Sequence, residues 1–96
     1  MNLLPGTIQL TSDGVVGTSG KPIRVFNATV HSAGAGASTC VLCNGTNNTV
    51  PWTQIDGIAD QDVTANYAAG IRFPNGCYAD TDGNLTYLTV TYTEEY

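Results

Sequence analysis

The chain has 96 residues and a formal charge of −5, with 11% charged against 42% hydrophobic side chains. That length makes one domain, residues 1–96, around a single thin core. Its permanent cations are Lys21, Arg24 and Arg72, too few to neutralise a run of phosphates or hold an anionic lipid surface, so nucleic acid and membrane are excluded as partners.

The polar positions are filled by Thr, Asn, Ser and Gly rather than by charge, and Thr, which occurs 14 times, favours a pleated strand over a helix. In chain order, Thr7–Leu10 and Val15–Thr18 read as the first strands. Ile23–Ser32 is longer, and its apolar alternation slips at Val25-Phe26, which predicts a bulge or burial on both faces. Ser32-Ala33-Gly34-Ala35-Gly36-Ala37 is a small-residue connection expected to be flexible. Thr39–Cys43 is a strand that ends at the Asn44–Asn48 loop, and Val50–Ile55 is an edge strand because of Pro51. Short strands Val63–Tyr67, Gly70–Phe73 and Cys77–Asp80 follow, and Asn84–Thr93 closes the chain with Leu88, Val90 and Tyr92 on one face and threonines on the other. A single helical turn is allowed within Ile58–Ala69, but no substantial helix. Five Asx-Gly dipeptides (Asp13-Gly14, Asn44-Gly45, Asp56-Gly57, Asn75-Gly76 and Asp82-Gly83) predict hairpin turns. The expectation is an all-β chain, a single β-sandwich or jelly roll of about eight short antiparallel strands.

No segment reaches the ~20 apolar residues that span a bilayer. The opening Met1–Gly6 has no basic, then apolar, signal pattern, so the chain is expected to be made and kept in a reducing cytosol unless something else exports it.

Cys40-Val41-Leu42-Cys43, with Cys77 and His31, matches a Cys₃His zinc site by count. In a strand, however, residues three apart point to opposite faces. That separation forbids shared zinc and a disulfide alike, so the cysteines are expected to be buried structural thiols. Asp80-Thr81-Asp82-Gly83-Asn84 departs from a calcium loop, with Gly in fourth place and Thr91 where the bidentate Glu belongs. No metal or cofactor is expected; if an ion binds at all, Asp80 and Asp82 are its ligands. His31 is the single histidine and no serine sits in a strained elbow, while no Glu precedes Glu94, so neither a hydrolase triad nor a glycosidase pair is written in the chain and no enzyme is expected. Four Asn-x-Thr sequons, at Asn27, Asn44, Asn47 and Asn84, carry no meaning without a secretory route. Aromatic residues are the remaining interface or ligand candidates, Trp52, Tyr67, Phe73 and Tyr78 foremost, with Tyr87, Tyr92 and Tyr96 behind them, against the competing expectation that Trp52, Phe73 and some of the tyrosines simply form the core.

The predicted strands are almost bare of the Lys, Pro or inward charges that block edge-to-edge pairing, so either turns and tails or partner chains cover the edges, and partner chains are the expectation. Four segments carry a resemblance: Ile23-Arg24-Val25-Phe26, Val41–Thr46, Gly70–Tyr78 and Val90-Thr91-Tyr92. In them the chain resembles small virion structural proteins of tailed bacteriophages, particularly those of cyanobacterial hosts. The resemblance implies a β-sandwich displayed in many copies on a capsid, neck or tail. Its implied partners are other virion proteins and further copies of itself, a trimer first, made in the host cytoplasm and located in the virion. It transfers no catalytic residue. The alternative is a receptor- or carbohydrate-binding module of a phage tail or fibre, with Trp52 and exposed tyrosines as the sugar platform.

Overall fold

The computed structural model describes residues 3–95, with side chains from residue 6 onward; Tyr96, one of the aromatic candidates, lies outside the described residues. Eight strands follow one another: β1 (Leu3–Leu10), β2 (Gly14–Val16), β3 (Ile23–Ser32), β4 (Thr39–Asn44), β5 (Pro51–Asp56), β6 (Asp62–Phe73), β7 (Cys77–Asp80) and β8 (Leu85–Glu95). They form two four-stranded antiparallel sheets in the orders β1-β8-β3-β6 and β2-β7-β4-β5.

The pairs β1–β8, β2–β7, β3–β6 and β4–β5 are those of a chain doubled back at the β4–β5 link. Rolling that long hairpin sends alternate pairs to opposite sheets, and β8–β3 and β7–β4 then join them. The result is an eight-stranded jelly roll. One consequence corrects the turn reading. Consecutive strands pair only at β4–β5, and the other links cross between sheets, so four of the five Asx-Gly pairs serve crossings rather than hairpins. Among the five glycines, only Gly45 (φ 132°) and Gly76 (φ 99°) take positive φ. Asp13 and Asp82 instead use their carboxylates to tie down backbone amides.

Alternation supplies the core. Ile23, Val25, Ala28 and Val30 of β3 and Leu88 and Val90 of β8 are buried against Val16, Cys40, Leu42, Ile55, Cys77 and Ala79 of the facing sheet. Phe73 is fully buried among them and heads the large core side chains. The parity change in β3 falls where the sequence placed it, as a register shift between Val25 and Asn27.

On β6 the same shift is larger. Val25 faces Ile71 and Asn27 faces Asn66, so Tyr67–Gly70 bulge out opposite Phe26 alone. Gly70 at φ +80° permits the bend, and Arg24 Nη1 holds it by donating to Ala69 O at 3.2 Å. The two strands expected at Val63–Tyr67 and Gly70–Phe73 are therefore one bulged strand. The helical turn allowed before it is a tight turn closed by Gln61 N donating to Ile58 O.

Two edges thus carry guards of shape that composition hides: β2 is three residues long and β6 is bulged. The small-residue link after β3, expected to be flexible, is tied by Ala33 N to Asn84 O (2.7 Å), Ser38 N to Ser32 Oγ (2.9 Å) and Asn84 Nδ2 to Ala37 O (3.3 Å).

Candidate functional site

β5 is a free edge of its sheet and its residues are mostly exposed. Leu42 pairs with Thr53 but Cys43 pairs with Pro51, so Trp52 is the extra residue of a bulge. The bulge re-aims its indole over the sheet end, where it stacks on Phe73 with centroids 5.3 Å apart and planes 29° from parallel. Trp52 stays 46% exposed beside Val50 at 44%, with exposed Pro51 between them. This is a rigid apolar surface: one aromatic face is held by the core and the other meets water.

The other aromatic candidates do not join it as surface. Phe73 is wholly buried and acts only through Trp52. Tyr67 is half-buried against the core, with its hydroxyl buried and without a hydrogen-bond partner. Tyr78 pairs with Val15 and Cys43 on the outer side of the β2-β7-β4-β5 sheet. Desolvation first, and then the charges of Asp13 and Asp80, push its phenol up from the ordinary value.

The two weak metal candidates, Asp82 and Asp80, lie in different settings. Asp82 Oδ1 accepts from Ser38 Oγ (2.9 Å) and Asn84 N (3.0 Å), and Oδ2 accepts from Thr39 N (2.9 Å). These bonds, the Thr39 amide foremost, hold the Asp82 carboxyl below its ordinary value against the opposing effect of desolvation. Both oxygens are engaged in closing the loop. Asp80 lies across the ladder from Val41, and among the described residues no three His, Cys, Asp or Glu side chains gather as a metal site. Beside Asp82 an open polar depression of about 470 Å³ is lined by Thr11, Ser12, Asp13, Thr81, Asp82, Gly83 and Leu85.

Cys40 and Cys77 belong to the core cluster whereas Cys43, also buried, does not, as opposite strand faces require. Burial, ahead of nearby negative charge, pushes the Cys40 and Cys77 thiols up to about 12 and raises Cys43 as well. Such thiols are protonated and poor nucleophiles.

Two features escaped sequence reasoning. On the outer face of β1-β8-β3-β6, His31 Nδ1 lies 2.6 Å from Asp62 Oδ1. The imidazole stacks on Tyr87 at 4.9 Å and 7°, and Tyr87 Oη donates to the same Asp62 oxygen at 3.4 Å. Desolvation, then Asp62, raises the Tyr87 phenol. Three strands meet there through register alone.

The second feature is charge segregation. Asp13, Asp56, Asp60, Asp62, Asp80 and Asp82 all sit at one end of a molecule 43 Å long, and Lys21, Arg24, Arg72, Glu94 and Glu95 all sit at the other. Glu95, 6% exposed, takes Arg72 Nε on Oε2 at 2.8 Å and has Arg24 Nη2 3.9 Å from Oε1. Glu94 turns inward and accepts from Thr18 N. The formal balance is −6 at the aspartate pole and +1 at the arginine pole, which together make the −5 of the chain.

Compared with known proteins, the chain matches no family model, no curated protein and no solved structure.

Proposed function

We propose that this chain is a non-enzymatic structural subunit of a virion, a capsid decoration, neck or tail component, made in the host cytoplasm and bound in the particle to other virion proteins. The observation that carries the reading is Trp52, half-exposed on a free edge strand and braced on buried Phe73. Rigid aromatic anchors of this kind are what protein interfaces concentrate binding energy on. The resemblance to small phage virion proteins supports the same reading. So does the jelly-roll topology, common to capsid and lectin domains, as a fold-level analogy. Buried, protonated thiols and a clamped Asp82 give these groups structural work rather than chemistry.

The test is a pelleting assay of purified protein with particles that lack it. Wild-type chain is expected to sediment with the particles and Trp52→Ser to remain in the supernatant; equal pelleting of both, or of neither, rejects the reading. The second reading, a receptor- or carbohydrate-binding module, is favoured by the same indole, whose open face suits a sugar ring. Glycan-array binding lost on Trp52→Ser, with no pelleting of either form, selects it.

A further inference from the structure

The outer face of the β1-β8-β3-β6 sheet is built in rows across the strands. The two middle rows, centred on Thr29 and Asn27, hold only Thr, Asn and Gln, and Thr29 and Thr64 hydrogen-bond through their hydroxyls at 2.8 Å. One flanking row carries His31 and Asp62; the other carries Arg24 directly opposite Arg72. Counted formally, with His31 taken as neutral, the first row carries the negative charge of Asp62. The second is net positive, because two guanidiniums share the single carboxylate of Glu95. Asp62 is 56% and Arg72 43% exposed, so both charged groups reach the surface beside their internal partners. A centre free of charge, with the charged groups at the rim, is shared with protein interfaces.

We propose that this face docks against the same face of a second copy, about a two-fold axis lying in the interface and running across the strands. That rotation reverses strand direction while laying each strand over its mate. Asp62 of one copy then meets Arg72 of the other, His31 meets Arg24, and the Thr29 row meets the Asn27 row. A two-fold along the strands would oppose like charges instead. Self-complementary charge specifies two copies, where the resemblance to phage virion proteins implies a trimer first. Four strands about 4.8 Å apart over the seven residues from Tyr87 to Thr93 of β8 give a footprint on the order of 450 Å² per copy, interrupted on β6 by the Tyr67–Gly70 bulge. That is about half a standard interface, so the dimer is transient, with micromolar or weaker affinity. The proposal deepens the self-association part of the virion reading, but its residues are separate from the Trp52 edge.

The experiment is sedimentation velocity from about 1 to about 500 µM, the range in which a transient interface of this size dissociates. Wild-type chain should pass from monomer to dimer. D62R alone and R72D alone each place like charges at both rims of a homodimer, and each should need at least tenfold more protein to dimerise. An equimolar mixture of the two opposes unlike charges at both rims and should dimerise like wild type. Thr89→Arg, at the centre of the face, leaves both rim pairs intact and should also abolish the dimer, which covers the case of a rim variant that misfolds. A wild-type monomer throughout, a trimer indifferent to these changes, or a mixture no better than its components overturns the proposal. None of those outcomes alters the pelleting result expected from Trp52.

Discussion

Phe73 joins the core to the proposed binding edge, and its removal separates the two contributions. It is fully buried, next to Ile23 in the fold and under the Trp52 indole. Truncating a buried Phe to Ala costs about 3–5 kcal/mol, and a stacked aromatic pair adds roughly 0.5–1.5 kcal/mol. A domain of this length has about 5–14 kcal/mol in all, so Phe73→Ala removes about a quarter of it or more. With an unfolding entropy near 2.1 cal/mol/K per residue, a loss of about 4 kcal/mol lowers the Tm by about 20 °C. Circular dichroism melts measure that loss. The emission of Trp52, the single tryptophan, reads the stacking separately and should move to the red. Trp52→Ala, which removes a half-exposed ring, should cost only about 1–2 kcal/mol. A Phe73→Ala loss below ~1 kcal/mol, or unchanged Trp52 emission, would refute the claim that the edge is braced by the core.

The thiols give a second prediction: a thiol reagent should leave Cys40, Cys43 and Cys77 untouched in the folded chain at neutral pH and label all three after denaturation. Because the folded-state values of Cys40 and Cys77 stand near 12 against an ordinary 9.0, their contribution is whole below pH 9 and drains away as pH rises towards 12. Each should take about 1.4 kcal/mol per pH unit in that window, and stability that stays flat to pH 11 would contradict it. Asp82 works in the opposite sense: its lowered value stabilises above the ordinary 3.8 and is lost as pH falls through the folded value. Asp82→Ala should then cost about 1 kcal/mol at pH 7, a figure kept small by the residue's exposure, and less at pH 3; an equal loss at both refutes the clamp. Gly17 sits at φ +72°, and a Cβ there would lie 2.6 Å from Glu94 Oε1 and 2.9 Å from Ile23 Cδ1. Gly17→Ala should cost about 2 kcal/mol or more, and Gly20→Ala, at φ +78° in open space, only about 1 kcal/mol; equal melts for the two would remove the crowding argument.

The strands were legible wherever alternation is strict. Ile23–Ser32 and the closing strand have the expected buried faces, the β3 bulge lies at Phe26, and Cys40 and Cys43 part company as strand geometry requires. Pro51 marked β5 as an edge. Pairing was not legible, because an Asx-Gly pair changes chain direction equally well within a sheet and between sheets. Ala68-Ala69-Gly70 reads as a break, and only the ladder on both sides reveals it as a bulge. Trp52 was singled out as an aromatic candidate, but its brace lies 21 positions away at Phe73. His31, Asp62 and Tyr87 meet through the register of three strands. The six aspartates look scattered until strand directions place every one at the same end.

The most direct test of the central claim, that this chain is carried in a particle through its exposed edge, is a copy count. Quantitative mass spectrometry of gradient-purified particles, set against a capsid protein as the internal standard, is predicted to find the chain in fixed ratio to that standard. Its absence from the particles, with all of it free in the surrounding lysate, would contradict the account.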